Sequence, residues 1–555
     1  MKPNILVLLT DQQRFDTIAA AGHHHMVTPN LDRLVNEGCN FTHAYSPHPI
    51  CIPARHSLWS GMSSRVHGYH CNASPPWPDD GIPMLPQLLS DHGYFTAAVG
   101  KMHFIPPRRH HGFQELHLME EIPQCRRDDA YATHLKDKGY EDIRCLHGVR
   151  PYLYHEPQSP LVPEHLHGSA FITDRSIDIL ESLDSQRPFF LVSSWIHPHP
   201  PLNVPKRWKS LYRDRELPGP VPISRDAPFF EGISPWFGDS DSEDIKRDFR
   251  ETYFGSISFV DYHIGRLLDY LEEKNVLENT LIIFTSDHGE MLQDKGFYQK
   301  ALPFEGASRI PFLIRYPKYF EPGSEDRRFV DLMDIFPTVI DIAGIDFHEK
   351  PSRSNYQLHG ESLLVRNANT RDRSLQYTSC LSDSRRWVAI RDRRYKYVYF
   401  YNGGIEHFYD LESDPGEQFN LVKSSEVPFA QLEHLRKKAL EFECRLGPRE
   451  ATKNGSYKKY AFSPWKSPRG SGKYPLWANQ QFPQLKEVSN LKEGTLFLND
   501  FKASLSKSKI EDIAPDRFFT ENFLNAFQEW SSQPLSIQSL AKKEEARNED
   551  KQKLS

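Results

Sequence analysis

Three short segments carry residue types and spacings that could do chemistry: Cys51-Ile52-Pro53-Ala54-Arg55, Asp11-Gln12 and Asp287-His288. Each acidic pair closes an apolar run of strand length, Ile5–Thr10 and Leu281–Ser286. Ligands of open α/β sheets bind outside the carboxyl ends of strands, so two such ends can share one crevice. Asp, Gln, Asp and His offer mostly hard oxygen donors with one imidazole. That set suits Ca2+, Mg2+ or Mn2+ better than zinc. The competing reading is that one or both aspartates cap helices, a position Asp favours. Cys51 alone would read as a buried thiol and Pro53 as a turn residue. Between two acidic pairs, the pentapeptide suggests a metal site built around a modified cysteine.

The elements that must position these residues follow from the apolar pattern. Ile5–Thr10, Phe95–Val99, Phe189–Trp195, Leu281–Ser286 and Phe312–Tyr316 are short and rich in branched or aromatic residues, as buried strands are. Helical patterns lie between them. Thr28-Pro29-Asn30-Leu31-Asp32 starts one, with Thr28 as N-cap and Pro29 at the first helical position. Met84–Asp91 and Ala170–Leu183 are two more. Residues 247–274 form a long amphipathic helix with Phe254, Ile257, Phe259, Val260, Ile264, Leu267, Leu268 and Leu271 on its core-facing stripe. Such alternation implies a mostly parallel sheet covered on both faces. Residues 114–165 and 202–245 interrupt it as long, charged, Pro- and aromatic-rich insertions. From about 371, Trp387–Ile390 and Lys396–Phe400 read as antiparallel strands, with Asn402-Gly403-Gly404 as a turn. A helix at 428–444 places Phe429, Leu432, Leu435 and Phe442 on one stripe and Leu440 off it. The division expected is 1–370, 371–446 and a C-terminal extension, 447–555, that is basic and Pro/Gly/Ser-rich to about 475 and disordered at its tip.

Composition bounds the function. The chain has 555 residues, 38% hydrophobic and 26% charged, in the range of soluble globular proteins. A net charge of -6 gives no reason to expect nucleic acid. No apolar stretch approaches the roughly 18 residues of a membrane span. The seven cysteines include no Cys-x-x-Cys pair, which argues against a zinc ribbon or a disulfide framework and suits a reducing compartment. The apolar run Ile5–Leu9 is too short for a signal-peptide core. The chain as it stands therefore reads as cytoplasmic, or as periplasmic or secreted if its N-terminus has been trimmed.

Taken together, these motifs resemble the type I sulfatases of the alkaline phosphatase superfamily. Cys51-x-Pro53-x-Arg55 with Gly61 matches the family's first motif, and Gly100-Lys101-Met102-His103 its second. Thr28–Asp32, Pro198-His199-Pro200-Pro201, Thr285–Glu290 and Lys300 ahead of Phe304-Glu305 follow in the family's order. Arg394-Tyr395-Lys396-Tyr397 and Tyr409–Glu417 resemble its C-terminal subdomain. The resemblance spans about residues 3–445 and leaves 446–555 outside. It implies an α/β fold: a large, mostly parallel sheet flanked by helices, with a smaller C-terminal antiparallel-sheet subdomain. Ala54 and Ser60 stand where the family more usually has Ser and Thr. Gln12 and His288 stand where many members have Asp and Asn. That variant resembles the choline-sulfatase and phosphonate-monoester-hydrolase branches, whereas Lys101 and His103 favour sulfate.

The resemblance implies that Cys51 is oxidised to formylglycine and that Asp11, Gln12, Asp287, His288 and residue 51 hold one divalent cation, Ca2+ before Mn2+ or Mg2+. A hydrated aldehyde has two hydroxyls on one carbon: one attacks sulfur, and the other, deprotonated, expels sulfate by C–O cleavage. A metal on the hydrate lowers its pKa and neutralises sulfate oxygens. Lys101 and Lys300 suit the sulfuryl oxygens as point charges, and Arg55 can hold the hydrate with forked donors. By resemblance His199 is the acid candidate and His103 the base candidate, with His197 able to exchange roles with His199. Asn72 stands where relatives place a polar group near sulfate; a turn residue is the alternative. His23-His24-His25 reads as an exposed loop. The basic stretch from Lys458 and Lys459 through Lys466, Arg469 and Lys473 reads as a solvated linker. The expected activity is hydrolysis of a sulfate monoester, first of a sulfated carbohydrate, then of an aryl, alkyl or choline sulfate. A phosphonate or phosphate ester hydrolase and an inactive sulfate-binding relative are the other readings. A formylglycine-generating or anaerobic maturation enzyme is the implied partner; neither nucleic acid nor membrane is expected.

Overall fold

Residues 2–72, 81–123, 126–143, 145–148, 157–184, 186–222, 243–347, 356–364 and 373–463 are described by the computed structural model. Part of the second insertion, Cys125, and Lys466, Arg469, Lys473 and the charged tail lie outside these residues. The apolar runs form an eight-stranded sheet. Its strands are β1 (Asn4–Asp11), β2 (Cys39–Tyr45), β3 (Phe95–Gly100), β4 (Glu115–Leu118), β5 (Phe189–Pro198), β6 (Thr280–Ser286), β7 (Phe312–Arg315) and β8 (Ser324–Asp331). The order is β4-β3-β5-β1-β6-β7-β2-β8. Only β7 runs against its neighbours. Successive side chains of a strand point to opposite faces, and both faces are covered. Ile5, Val7 and Leu9 of β1 face a core with Leu58 of α2 (Cys51–Ser60), Leu88 of α4 (Leu85–Asp91) and Val339 of α10 (Ile335–Ala343). Leu6 and Leu8 face Leu34 of α1 (Pro29–Glu37), Leu135 of α5 (Ala130–Asp137), Ile172 of α6 (Gly168–Ser182) and Ile264 of α8 (Glu243–Glu273). The eight stripe residues expected on the long helix are all buried. Three short helices complete the set: α3 (Ser64–His67), α7 (Lys206–Ser210) and α9 (Glu305–Ser308).

Strands β9 (Gln376–Cys380), β10 (Trp387–Arg391), β11 (Tyr395–Phe400) and β12 (Ile405–Asp410) form a separate antiparallel sheet in the order β12-β11-β10-β9. Its alternation sorts two cores. Val388, Ile390 and Tyr397 pack on Leu432, Leu435 and Ala439 of α11 (Phe429–Leu446). Trp387, Ala389, Val398 and Phe400 pack on Ile50, Met291, Phe297 and Phe304. The second face thus leans on the residue before Cys51 and on the loop that carries Lys300. Past α11, Tyr457 stacks on Tyr399 at 4.1 Å, so the described start of the extension covers this sheet.

Three local expectations need correction. Thr28 makes no side-chain capping bond to α1. Asp261 of α8 does that work, accepting from the N–H groups of Asn30 (3.1 Å) and Leu31 (2.7 Å). Thr28 Oγ1 instead accepts from Ala19 N and donates to Asp32. Phe429 is not on the buried stripe of α11 but 66% exposed, because the helix begins there, beyond the edge of the sheet it covers. The first insertion contains β4 and α5.

A buried ionic knot holds the small sheet to α11. Glu443 accepts from Arg386 Nε (2.6 Å) and Tyr401 (2.7 Å), and also pairs with Tyr377; Arg386 and Glu443 are fully buried. Removing one partner of a buried pair leaves an uncompensated charge, a loss of about 3–5 kcal/mol. Glu443→Ala is therefore expected to lower the thermal midpoint clearly, read by calorimetry. An unchanged midpoint would contradict this role of the knot.

Candidate active site

Parallel pairing of β1 with β6 sets Thr10 opposite Ser286 and so brings the next residues, Asp11 and Asp287, together. Neither aspartate precedes a helix, which removes the capping alternative. The chain turns sharply after each strand. Gln12 has φ 68°, and its backbone N–H donates to Asp287 Oδ1 at 3.2 Å. Cys51 is the first residue of α2, and Arg55, one turn on, shares its face. Pro53 sits in the first turn, where no intrahelical N–H is lost. The helix stops at Gly61, whose φ of 66° is left-handed. At the end of β3, Gly100 (φ 102°) lets the chain turn toward Lys101; a Cβ there would lie 2.0 Å from Ser194 O.

Cys51 Sγ is the centre of the crevice. His288 Nε2 and Lys300 Nζ are each 3.2 Å away, Lys101 Nζ 3.7 Å and Asp11 Oδ1 3.9 Å. Burial would raise the thiol pKa, but Lys101, Lys300, His288 and a hydrogen bond from His103 hold it well below the ordinary cysteine value. Arg55, fully buried, donates from Nε to Asp287 Oδ2 (2.8 Å), from Nη2 to Asp11 Oδ2 (3.4 Å), and from Nη1 to Ser194 Oγ (3.0 Å) and the Lys101 carbonyl (2.5 Å). Lys101 Nζ pairs with Asp11 and with Glu121 Oε2 (2.6 Å). Burial and Cys51 push the Asp11 carboxyl up, yet Lys101, His199 and Lys300 bring it down to about 2.

The donor set fits a divalent cation. Asp11, Cys51, Asp287 and His288 place one ligand atom each within 4.8 Å of one another. His288 Nδ1 donates to Gly289 O (3.0 Å), which leaves Nε2, 3.6 Å from Asp11 Oδ1 and 3.5 Å from Asp287 Oδ1, as the atom that would ligate a cation on giving up its proton. Gln12 presents an oxygen for a reason the motif did not reveal. Its amide N–H donates to Glu290, which also accepts from Leu292 N (3.0 Å) and Gln299 N (2.5 Å). The Gln12 Oε1 atom is left facing Lys300 Nζ at 2.8 Å.

The other expected residues separate. His103 is at φ 57° beside Cys51, and its Nδ1 is buried without a hydrogen-bond partner among the described residues. His199 Nδ1 donates to Pro200 O (2.6 Å), and its Nε2 lies 3.6 Å from Glu121 Oε1. His197 is engaged elsewhere, by Ser169 (3.2 Å), Asn203 (2.9 Å) and stacking on His167. Asn72, exposed, accepts from Ile52 N at 3.1 Å and so caps α2 from outside. His23 and His25 are partly buried against Phe15 and Phe254, and no metal-like grouping among the described residues includes them.

Lys300 is positioned by the small sheet. Trp387 Nε1 donates to Ala301 O at 2.8 Å. Lys396 pairs with Glu305 (3.1 Å) and Glu417 (2.8 Å), and Lys295 Nζ donates to Glu417 O (2.5 Å). Glu121 was not foreseen from sequence, since a single Glu outside a motif carries no signal; Ser194 and Trp387 were read only as strand residues, and Glu290 only as the end of the Thr285–Glu290 motif.

A sheet with its acidic residues at the carboxyl ends of adjacent strands, a buried cysteine at a helix start and two lysines around it define a hydrolase of anionic esters. The chain belongs to the sulfatase family and is a sulfuric ester hydrolase: the family model described as sulfatase matches residues 3–345. The model described as N-sulphoglucosamine sulphohydrolase, C-terminal, matches residues 293–443. The chain is 32% identical over 480 residues to an arylsulfatase of Clostridium perfringens, covering 79% of this chain and 93% of that protein. It is 30% identical over 450 residues to a choline-sulfatase of Rhizobium meliloti, covering 78% and 84%. Its fold matches a phosphonate monoester hydrolase of Agrobacterium radiobacter with a TM-score of 0.69 and 26% identity, covering 80% and 96%. Among the described residues no helix is long and apolar enough to cross a membrane.

The convergence of donors predicts that Asp287→Asn weakens Ca2+ and Mn2+ binding by more than the roughly 10–100-fold typical of losing an outer-shell partner. Titration calorimetry checks it, with the thermal midpoint as control for folding. Wild-type affinity in the variant would contradict the site.

Proposed function

We propose that the crevice around residue 51 hydrolyses a sulfate monoester of a carbohydrate, with Asp11, Gln12, Asp287 and His288 holding one divalent cation, Ca2+ before Mn2+ or Mg2+. The observation that carries this reading is the placement of Cys51 Sγ within 4 Å of both lysines, His288 and the Asp11 carboxylate. Bound there, the cation supplies Lewis-acid charge against the sulfate oxygens and acidifies a hydroxyl on residue 51. Converted to formylglycine by a maturation enzyme, residue 51 supplies an aldehyde hydrate as nucleophile. The carbohydrate assignment is supported by the C-terminal match to the N-sulphoglucosamine sulphohydrolase model, whose span contains Lys300 and the small sheet behind it.

The chain's own groups divide the work. Lys101 and Lys300 sit on two sides of residue 51 and bind the sulfuryl oxygens, fixed charges aimed where charge develops. Arg55 touches both aspartates and stays a spacer that keeps the carboxylates apart and oriented. His103, hydrogen-bonded to the residue 51 side chain, accepts its proton. His199 donates from Nδ1 to the Pro200 carbonyl, so a second proton, on Nε2, makes the ring an imidazolium facing the Glu121 carboxylate, and it is this Nε2 proton that goes to the departing alcohol oxygen. Asn72 bears on the site through its cap on α2, which holds the N-terminus of the Cys51 helix.

A second reading, phosphonate monoester hydrolysis, is favoured by Gln12 and His288 at the cation site and by the Agrobacterium likeness. Catalysis follows complementarity to the transition state, so the two readings differ in relative kcat/KM. The aryl sulfate is expected to exceed the matching aryl phosphate and phosphonate esters. Lys101→Ala is expected to cut sulfate turnover by roughly two to three orders of magnitude, the loss typical of one electrostatic donor. A preference for the phosphonate ester, with sulfate turnover insensitive to Lys101, would establish the second reading instead.

A further inference from the structure

The edge strand β4 runs parallel to β3 with Leu118 opposite Gly100. Met119-Glu120-Glu121 therefore leaves the sheet beside Lys101-Met102-His103, and Met119 N donates to Gly100 O at 3.1 Å. The two segments are locked together. Glu120 Oε1 accepts from the backbone N–H groups of Met102 (3.0 Å) and His103 (2.9 Å), holding a turn in which His103 takes a left-handed φ that disfavours a side chain. The Glu120 N–H in turn donates to Asp129 Oδ2 (2.7 Å), and Asp129 Oδ1 accepts from Ala132 N (2.8 Å) at the start of α5. The backbone that carries Glu121 is thus fixed from both sides. Its carboxylate, 7% exposed, spans two groups of the crevice: Oε2 is 2.6 Å from Lys101 Nζ, and Oε1 is 3.6 Å from His199 Nε2.

We propose that Glu121 is a positioning residue that aims Lys101 and the Nε2–H of His199 at one bound ester, the ammonium at the sulfuryl oxygens and the imidazolium at the leaving oxygen. The inference rests on the sulfate-ester reading above. Lys101 is held between two carboxylates, Asp11 and Glu121, which confines Nζ to one place. His199 is hydrogen-bonded at Nδ1 to the Pro200 carbonyl, and Glu121 Oε1, 3.6 Å from Nε2, biases the ring's orientation by charge rather than by a hydrogen bond. As the bond from sulfur to the alcohol oxygen breaks, its electron pair stays on that oxygen, which takes the Nε2 proton; sulfur is by then bonded to the attacking oxygen at residue 51. Glu121 keeps its charge throughout and touches neither reacting atom. Burial, with Lys300 and Lys101, holds the His199 pKa below the ordinary imidazole value, and the Glu121 and Asp11 carboxylates offset only part of that effect.

The test is the dependence of rate on the leaving group. Glu121→Gln and the wild type are compared on sulfate esters of phenols from acidic to weakly acidic and on an alkyl sulfate, with thermal midpoints as control. Weakly acidic alcohols need the proton to depart; the most acidic phenol does not. The variant is expected to lose roughly 100-fold in kcat on the alkyl sulfate and the least acidic phenol, the lower range of a general acid's contribution. On the most acidic phenol, which needs no proton but still needs Lys101 aimed at the sulfuryl oxygens, the loss should be smaller, about ten-fold or less. Glu121→Asp, which keeps the charge on a shorter arm, should recover part of the loss on the poor leaving groups, and it supplies the same comparison should Glu121→Gln fail to fold. An equal loss on all esters, or no loss, overturns the role of Glu121. A wild type inactive on every sulfate ester would instead overturn the reading on which it rests.

Discussion

Two carboxylates from adjacent parallel strands, both excluded from water, govern the organisation of this protein. Register puts Asp11 and Asp287 side by side at the carboxyl ends of β1 and β6, with neither side chain exposed. Buried like charges are costly unless paired. The structure meets that cost with cations drawn from distant parts of the chain: Arg55 from a helix start, Lys101 from the end of β3 and Lys300 from a loop after β6. The same charges that make the carboxylates tolerable create a positive surround for Cys51, lower its pKa and suit the crevice to an anion. Stability and chemistry here share one set of groups.

The second sheet gains its meaning from that requirement. Lys300 comes from a loop with left-handed residues at Leu292, Gln293, Lys295, Gln299 and Ala301, a path that needs outside support. Lys396, Glu417, Glu305 and Trp387 supply it, and the apolar face of β10 and β11 covers the same loop. The small sheet therefore completes the crevice without lining its centre. This also explains why motifs around Arg394–Tyr397 and Tyr409–Glu417 belong with the catalytic ones: Lys396 and Glu417 are the buried ends of that tether.

The five apolar runs read as strands are all strands, because a strand buried on both faces is apolar along its whole length. β4 and β8, at the edges, and β2 were invisible to that criterion. Ser324–Asp331 alternates charged residues outward over half its length, and Glu115–Leu118 is four residues long. Asp11, Gln12, Cys51, Arg55, Lys101, His103, His199, Asp287, His288 and Lys300 were legible because each belongs to a sulfatase-like motif, and the fold gathers all of them around one crevice. Glu121 was not legible, since it is a common residue in a loop and acts through Lys101 and His199, brought near only by folding; Glu290 stands in the Thr285–Glu290 motif, but its hold on the Gln12 amide was not legible. The cap of α1 by Asp261 was hidden for the same reason: the partners are some 230 residues apart in sequence.

Everything in the proposed chemistry turns on residue 51 being an oxidised cysteine rather than a thiol. The most direct measurement is the mass of the peptide containing Cys51, isolated from fully active enzyme made in its native host. The expected result is the aldehyde, in a peptide that also couples to a hydrazide reagent, with the modified fraction tracking specific activity. An unmodified Cys51 thiol in enzyme of full activity would contradict it.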